Sequence, residues 1–375
     1  MKKLCYFVNS AWYFELHWLE RAEAAVRAGY EVSVIARFDD VNLKTKLEEK
    51  GISCFNSNIQ EKKINPIEFI FDCIRLYKIL DAIDCDILHC ITIKPGIISC
   101  LWSRARGKPL IYSFVGLGRV FNNNTIKFKV IRFLIKHLYK NVLSDIKYKM
   151  IFEHIDDQTK IINLLHIDTQ KTIVIDGAGV DTELFAFNTE PSCERIKVLF
   201  AGRLLWSKGL ADLIEARKLL KNKNINFDLI VAGMLVEDDS DAIDLKYITK
   251  WHDSKEIVWL GKIDDMPNLI SQSNIVALPS TYPEGIPRIL LESGAVGRPC
   301  VVYHISGCSS LIKNSHNGYT VAPGNIIELA SRLEYLITHD VERKDMGRKA
   351  RDYIESRYSS NIIIDKTLKV YNDML

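Results

Sequence analysis

Short apolar runs alternate with longer amphipathic segments along most of the chain. LCYFV at 4–8 precedes an amphipathic stretch at 16–28, and EVSVIA at 31–36 precedes a basic-apolar segment at 67–80. DILHCI follows at 86–91 and LIYSFV at 110–115. Apolar runs of this length predict buried strands and the segments between them predict helices, which is the βαβ rhythm of a parallel sheet. The rhythm breaks near 181–195, where a proline, polar residues and charges predict a linker. It restarts with KVLFAG at 197–202, a helix at 208–221, FDLIVAG at 227–233, IVWLG at 257–261 and a helix at 265–273. IVALPS at 275–280, a helix at 287–297 and PCVVY at 299–303 complete it. We therefore expect an α/β chain of two doubly wound domains, 1–185 and 186–356. An amphipathic helix at 357–375 is expected to pack back on the first. Such sheets bind ligands at the carboxyl ends of their strands, so two facing each other would enclose a cleft.

Composition narrows the reading. The 375 residues are 47% hydrophobic and 26% charged, enough for about two cores and too much for one small domain. Lys+Arg 50 against Asp+Glu 47 leaves a net charge of +3, which does not mark a nucleic-acid binder. Nine scattered cysteines without C-x-x-C or Cys/His zinc spacing suggest a reduced, cytoplasmic protein with no structural metal. Asn9, Glu15 and His17 interrupt the first apolar run, so it reads as a strand rather than a leader. No run approaches the ~18 apolar residues that span a bilayer, so any membrane contact would be made from the side.

The chemistry concentrates in the second half. PSTYPEGIPRILLESGAVGRP at 279–299 sets Glu284 and Glu292 eight positions apart, astride a Gly285-Ile286-Pro287 turn that opens an apolar helix. Pro287 suits the first helical turn, which puts Glu284 on the loop and Glu292 in the helix. Free backbone N–H groups at a helix N-terminus suit a phosphate, and flanking carboxylates accept from hydroxyls. Phosphate with hydroxyls points to a sugar nucleotide. In AGRLLWSKG at 201–209, Gly202 and Arg203 end a strand and Lys208-Gly209 opens the next helix. An arginine fork with a lysine charge can neutralise a diphosphate as it departs. The plainer alternatives are solvated glutamates on a surface helix and cations fringing a loop. Trp206 reads as an indole half-buried in that loop rather than as a ligand platform.

These two stretches resemble the retaining family 4 glycosyltransferases of GT-B fold, whose signature is a Glu-x7-Glu pair following an Arg and a Lys-Gly. DILHCITIKP at 86–95, SFVGLGRVF at 113–121 and IDGAGVDTELF at 175–185 resemble bacterial members that build O-antigen, capsule or N-glycan precursors on polyprenyl diphosphate. The resemblance implies that Arg203, Lys208 and the backbone at Gly285 and Ile286 hold a nucleotide diphosphate. It places Glu292 on the ribose, Glu284 near the transferred sugar and phosphate, and the base near Gly261 and Lys262. It implies a nucleotide-sugar donor, taken as UDP-linked, and a lipid-linked saccharide acceptor that receives a hexose or N-acetylhexosamine. No metal or other cofactor is implied, and the location would be peripheral at the inner face of the bacterial cytoplasmic membrane. A GT-B sugar-nucleotide epimerase and a non-catalytic sugar-nucleotide-binding partner are the alternatives.

Several features lie outside that signature. Asp239-Ser240-Asp241 has D-x-D letters but reads as a solvated acidic turn. Gly116-Leu117-Gly118-Arg119 tempts a dinucleotide reading, yet Phe121 stands where a third glycine would. The resemblance instead turns the Gly118 loop toward the cleft; Gly177 and Gly179 suit the same close approach or a plain turn. Many relatives carry two glycines where this chain has Asn9 to Tyr13, and a glutamate where it has Ser309-Ser310. His17 and His89 stand at the cleft end of predicted elements, as acceptor-side acid/base candidates or as packed histidines. Residues 126–150 carry Lys127, Lys129, Arg132, Lys136, Lys140, Lys147 and Lys149 among apolar positions, which suits an anionic membrane surface or a lysine-rich solvated face.

Overall fold

The computed structural model describes residues 1–59, 66–116, 125–236, 239–282 and 285–375. The chain divides into two compact units, Met1–Ala178 with Asn361–Leu375, and Gly179–Ser360. In the first unit seven strands form one parallel sheet. They are β1 (Lys2–Ser10), β2 (Tyr30–Arg37), β3 (Ile52–Asn56), β4 (Ile87–Ile91), β5 (Leu110–Phe114), β6 (Tyr148–Phe152) and β7 (Thr172–Val174), in the order β3-β2-β1-β4-β5-β6-β7. Every residue of β4 and β5 is buried, as expected where helices cover both sheet faces. The helices Ala11–Arg27, Val41–Glu49 and Ser360–Met374 contribute to one apolar cluster. Those at Pro66–Ile83, Ile93–Arg106, Ile126–Leu143 and Ile155–Leu165 contribute to the other.

The second unit repeats the design with six parallel strands. They are β8 (Lys197–Ala201), β9 (Asp228–Ala232), β10 (Val258–Gly261), β11 (Ile275–Leu278), β12 (Cys300–Tyr303) and β13 (Gly318–Val321), in the order β10-β9-β8-β11-β12-β13. Strand order reverses between β1 and β4 in the first sheet and between β8 and β11 in the second. The carboxyl ends at such switch points diverge and leave a crevice.

The units part at Ala178 and Gly179, ahead of the segment expected to be a linker. Residues 181–195 belong to the second unit because buried charges anchor them. Glu190 pairs with Arg343 at 2.7 Å, and the Arg298 guanidinium donates to the Asn188 carbonyl at 2.8 Å. Composition alone conceals those partners, which lie over a hundred residues downstream. The two chain passages at the junction are clipped together: Val180 N–H donates to the Tyr358 carbonyl and Ser360 N–H to the Val180 carbonyl, each at 2.9 Å.

Candidate functional site

Two adjacent loops at the β8/β11 switch point are stitched to each other through one carbonyl. Ser207 lies in the single 3-10 turn Trp206–Lys208 that follows β8. Its carbonyl accepts the N–H groups of Thr281 at 2.7 Å and Tyr282 at 3.2 Å, and the Thr281 hydroxyl at 3.2 Å. Gly209 is required at the end of the turn, because its φ is +83° and a Cβ there would run into the Pro279 carbonyl. Asp241 braces the other side of the turn. Its carboxylate accepts from both the N–H and the hydroxyl of Ser207, and its carbonyl accepts Trp206 N–H at 2.8 Å. The acidic turn expected to be merely solvated is therefore a structural brace for the Lys208 loop.

Arg203 and Lys208 converge on one aromatic ring. The Arg203 guanidinium carbon lies 5.4 Å and the Lys208 ammonium 5.3 Å from the Tyr282 ring centroid, within cation–π range. Lys208 is only 8% exposed, unusual for a lysine. Beside it the helix Arg288–Val296 starts from Pro287, which occupies the N-cap with an extended ψ of 123° rather than the first helical turn. Its carbonyl accepts Leu290 N–H at 3.1 Å, and its missing N–H costs nothing there. Ile286 is buried just before it.

Glu292 is 8% exposed, with Arg288 Nε at 3.1 Å from its Oε1. Burial pushes its carboxyl above the usual range, while the charge and hydrogen bond of Arg288 pull the other way. A glycine edge completes the neighbourhood. Gly202 N–H donates to the Ala232 carbonyl and Gly233 N–H to the Gly261 carbonyl. A Cβ on Gly233 would collide with the Gly202 carbonyl and Leu204, so only glycine lets β8 and β9 end this closely. Lys262 is exposed and pairs with Asp264 at 3.3 Å. Trp206 lies edge-on to Tyr247 with centroids 5.2 Å apart, partly exposed. Ser309 Oγ is buried without a hydrogen-bond partner among the described residues. Glu284 and Gly118 lie outside the described residues.

In the first unit His89 is a packed histidine, and this corrects its candidacy as an acid/base group. It is fully buried in β4, with Nδ1 2.9 Å from the Tyr371 hydroxyl and Nε2 2.8 Å from Ser113 Oγ. Burial and then the nearby Arg21 charge hold its pKa well below the usual value, so it stays neutral. His17 is half-buried and stacks on Tyr13 at 4.3 Å. Polar atoms lacking a partner sit elsewhere, at the β1/β4 switch point. Asn9 Oδ1, Ser10 Oγ and Thr92 Oγ1 are buried and unpartnered among the described residues. Ser10 and Thr92 precede the helices Ala11–Arg27 and Ile93–Arg106 without making a side-chain cap bond. Thr92 also holds φ +75° and ψ 173°, a conformation a β-branched residue rarely adopts.

Sequence reasoning missed Tyr282, Asp241, Ser10 and Thr92. Tyr282 lay inside the motif as a lone aromatic, and nothing local links Asp241 to Ser207. Arg288, by contrast, stands four residues before Glu292, a spacing that signals a helical ion pair. Among the described residues no group of three or more His, Cys, Asp or Glu is placed to hold a metal, and no helix is long and apolar enough to cross a membrane.

Comparison with known proteins assigns each half of the chain. The glycosyl transferases group 1 model matches residues 181–353, and the glycosyl transferase 4-like model matches residues 3–151. The chain is 26% identical over 363 residues to the N,N'-diacetylbacillosaminyl-diphospho-undecaprenol alpha-1,3-N-acetylgalactosaminyltransferase of Campylobacter jejuni, covering 92% of each protein. It is 28% identical over 326 residues to the UDP-Gal:alpha-D-GlcNAc-diphosphoundecaprenol alpha-1,3-galactosyltransferase of Escherichia coli, covering 84% of this chain and 82% of that one. Among solved structures, a glycosyltransferase from Rickettsia africae superimposes with a TM-score of 0.81 at 21% identity, covering 100% of this chain and 98% of that one. Anabaena HepE in complex with UDP gives 0.78 at 20% identity, covering 100% of both chains. These likenesses establish the GT-B fold.

Proposed function

We propose a reaction for this chain on one premise: it belongs to the glycosyltransferases, with a 4-like domain at residues 3–151 and a group 1 domain at residues 181–353. The proposed reaction transfers a hexose or N-acetylhexosamine, with retention, from a UDP-sugar to a polyprenyl-diphosphate-linked saccharide. The names of the Campylobacter and Escherichia relatives support the acceptor class, and the name of the latter supports the donor. An epimerase gains no support from these relatives.

The observation that carries the reading is the convergence of Arg203 and Lys208 on the Tyr282 ring, beside the helix that holds Glu292. In our assignment the two cations offset the charge that develops on the diphosphate as its bond to the anomeric carbon breaks. The acceptor hydroxyl attacks the same face, and its proton passes to the departing phosphate oxygen. Glu292 accepts from the ribose hydroxyls, Gly285 and Ile286 present backbone N–H groups to phosphate, and Glu284 adjoins the sugar. Gly202, Gly261 and Lys262 border the base. Ser10 and Thr92 serve the acceptor, and His17 stays an acceptor-side candidate. No metal enters this scheme. A peripheral position at the inner membrane face follows from a lipid-linked acceptor, with the basic helix Ile126–Leu143 as the contact.

The test combines binding and turnover. Thermal-shift measurement against a panel of sugar nucleotides should single out one donor, because a ligand that binds the native state raises the apparent melting temperature by mass action. That donor should then label a polyprenyl-diphosphate saccharide and release nucleoside diphosphate in step with product. Release of nucleotide at full rate without acceptor, or no transfer to any lipid-linked saccharide, overturns the reading.

A further inference from the structure

Two side-chain N–H groups of the helix Ala11–Arg27 are buried in the first unit with nothing to receive them. Trp18 is 2% and Arg21 4% exposed, yet Trp18 Nε1 and Arg21 Nε have no partner among the described residues. The guanidinium lies over the indole, 4.3 Å from its ring centroid, and its Nη2 donates to the Gly177 carbonyl. Arg21 makes no ion pair among the described residues. Burial draws its pKa below the ordinary value, with Tyr371 and Glu153 acting the other way. Orphaned donors in a protein interior are costly and native structures keep few of them, so two in contact call for an explanation.

Both side chains line one cavity. Its other walls include Phe114, the last residue of β5, and Glu153, Ile175 and Gly177, which lie just beyond the ends of β6 and β7. This is the carboxyl edge of the parallel sheet, where α/β folds bind their ligands. The enclosed space admits one water-sized group, too little for a phosphate or a whole sugar ring. The walls specify that group through its hydrogen bonds. Two N–H donors require an oxygen with lone pairs, while the Glu153 carboxylate and the second lone pair of the Gly177 carbonyl can accept a proton. A hydroxyl satisfies both demands. A carboxylate or phosphate oxygen brings no proton and would meet the charge of Glu153. Water has the same bonding capacity, so a ligand hydroxyl can replace it here without loss of hydrogen bonds.

We propose, resting on the reading of a lipid-linked saccharide acceptor, that the niche beside Trp18 and Arg21 holds one non-reacting hydroxyl of that saccharide. With two N–H groups on its lone pairs, the oxygen is a poor nucleophile, so it anchors the sugar while a different hydroxyl attacks. A saccharide without it leaves the guanidinium and the indole N–H unpaired, which is how a hydrogen-bonding site rejects a deoxy analogue. Trp18 and Arg21 thereby select among acceptors without touching the diphosphate grip of the second unit.

The experiment compares the full chain with its Trp18→Phe variant on a water-soluble, short-chain prenyl-diphosphate N-acetylglucosamine and on the monodeoxy forms of that sugar. Calorimetry in the presence of UDP gives Kd, and nucleotide release gives KM for acceptor and donor. Wild type should bind one monodeoxy form about tenfold more weakly than the parent, as for loss of roughly 1.4 kcal/mol. Trp18→Phe should weaken the parent, narrow the gap to that deoxy form and leave donor KM unchanged. A mere packing defect would keep the gap intact. Arg21→Lys, which keeps the charge and loses the Nε donor, should behave alike and serves where Trp18→Phe does not fold. Equal binding of every deoxy form by wild type overturns the proposal. So does an undiminished gap in the variants, which would make the niche a site for structural water. Binding with the expected selectivity but no transfer would sink the reaction assigned above and leave the niche standing. Absence of binding to any lipid-linked saccharide would sink both.

Discussion

Arg288 Nε donates to Glu292 Oε1 at 3.1 Å across one turn of the helix Arg288–Val296, and both side chains are largely buried. The pair partly offsets the upward push that burial gives the Glu292 carboxyl. Glu292 takes its proton more tightly folded than unfolded, since its folded pKa lies above 4.5. The stability from that bound proton is therefore full below 4.5 and is lost as pH rises through the raised value.

Arg288→Met removes the counter-charge and lifts that pKa further. We expect the variant to be destabilised by about 2–3 kcal/mol near pH 8, somewhat below the figure for breaking a fully buried pair. The deficit should shrink as pH falls, because a carboxyl held above its ordinary range takes up its proton before an ordinary one does. Melting temperatures of both proteins across this range check it; a deficit independent of pH would show that Arg288 acts only by packing.

Lys208→Ala should lower kcat by about 10²–10³, the cost of deleting one preorganised stabilising group, with a smaller change in donor KM. Tyr282 supports the same charge through its ring. Tyr282→Phe keeps that ring and should retain near-normal turnover. Tyr282→Leu loses two contacts of about 0.5–1 kcal/mol each, roughly a 5- to 30-fold fall in kcat/KM. Equal effects of Phe and Leu would point to the hydroxyl instead.

Asp241 is assigned a bracing role rather than metal binding. Chelation with EDTA should leave the transfer rate unchanged, and added magnesium or manganese should not rescue Asp241→Ala. The variant should lose about 1.5–3 kcal/mol of stability, as charge-assisted bonds to Ser207 disappear, together with donor affinity. Metal-dependent activity in the native protein would refute this.

Thr92→Val removes a hydroxyl that has no partner among the described residues while keeping the branched shape. Because no hydrogen bond within the described residues is lost, the melting temperature should hold or rise slightly. If the hydroxyl serves the acceptor, kcat/KM for the acceptor should fall about tenfold, as for loss of roughly 1.4 kcal/mol, with donor KM unchanged. A lower melting temperature with unaltered kinetics would make Thr92 purely structural.

Much of this molecule is legible from local pattern. Runs such as ILHCI and LIYSF identify central strands because a parallel strand covered on both faces needs apolar residues at nearly every position. Lys208-Gly209 and the Glu292 helix announce themselves through spacing, since turns and helix starts are local events governed by a few residues. The i,i+4 relation of Arg288 to Glu292 was equally available in the chain.

What the amino-acid order by itself determined, then, is the alternation of elements, the doubling of the sheet and the loops that carry charge. Tertiary structure alone decided which distant groups meet. It turned His89 from a candidate acid/base group into a neutral core residue between Tyr371 and Ser113, because partners 282 and 24 positions away close around it. It made Asp241 a brace, drew 181–195 into the second unit through Glu190 and Arg343, and brought Arg203 and Lys208 onto Tyr282. The reason is physical: periodicity encodes which face of an element is buried, whereas contact between residues far apart in the chain depends on strand order and packing, which no local window contains.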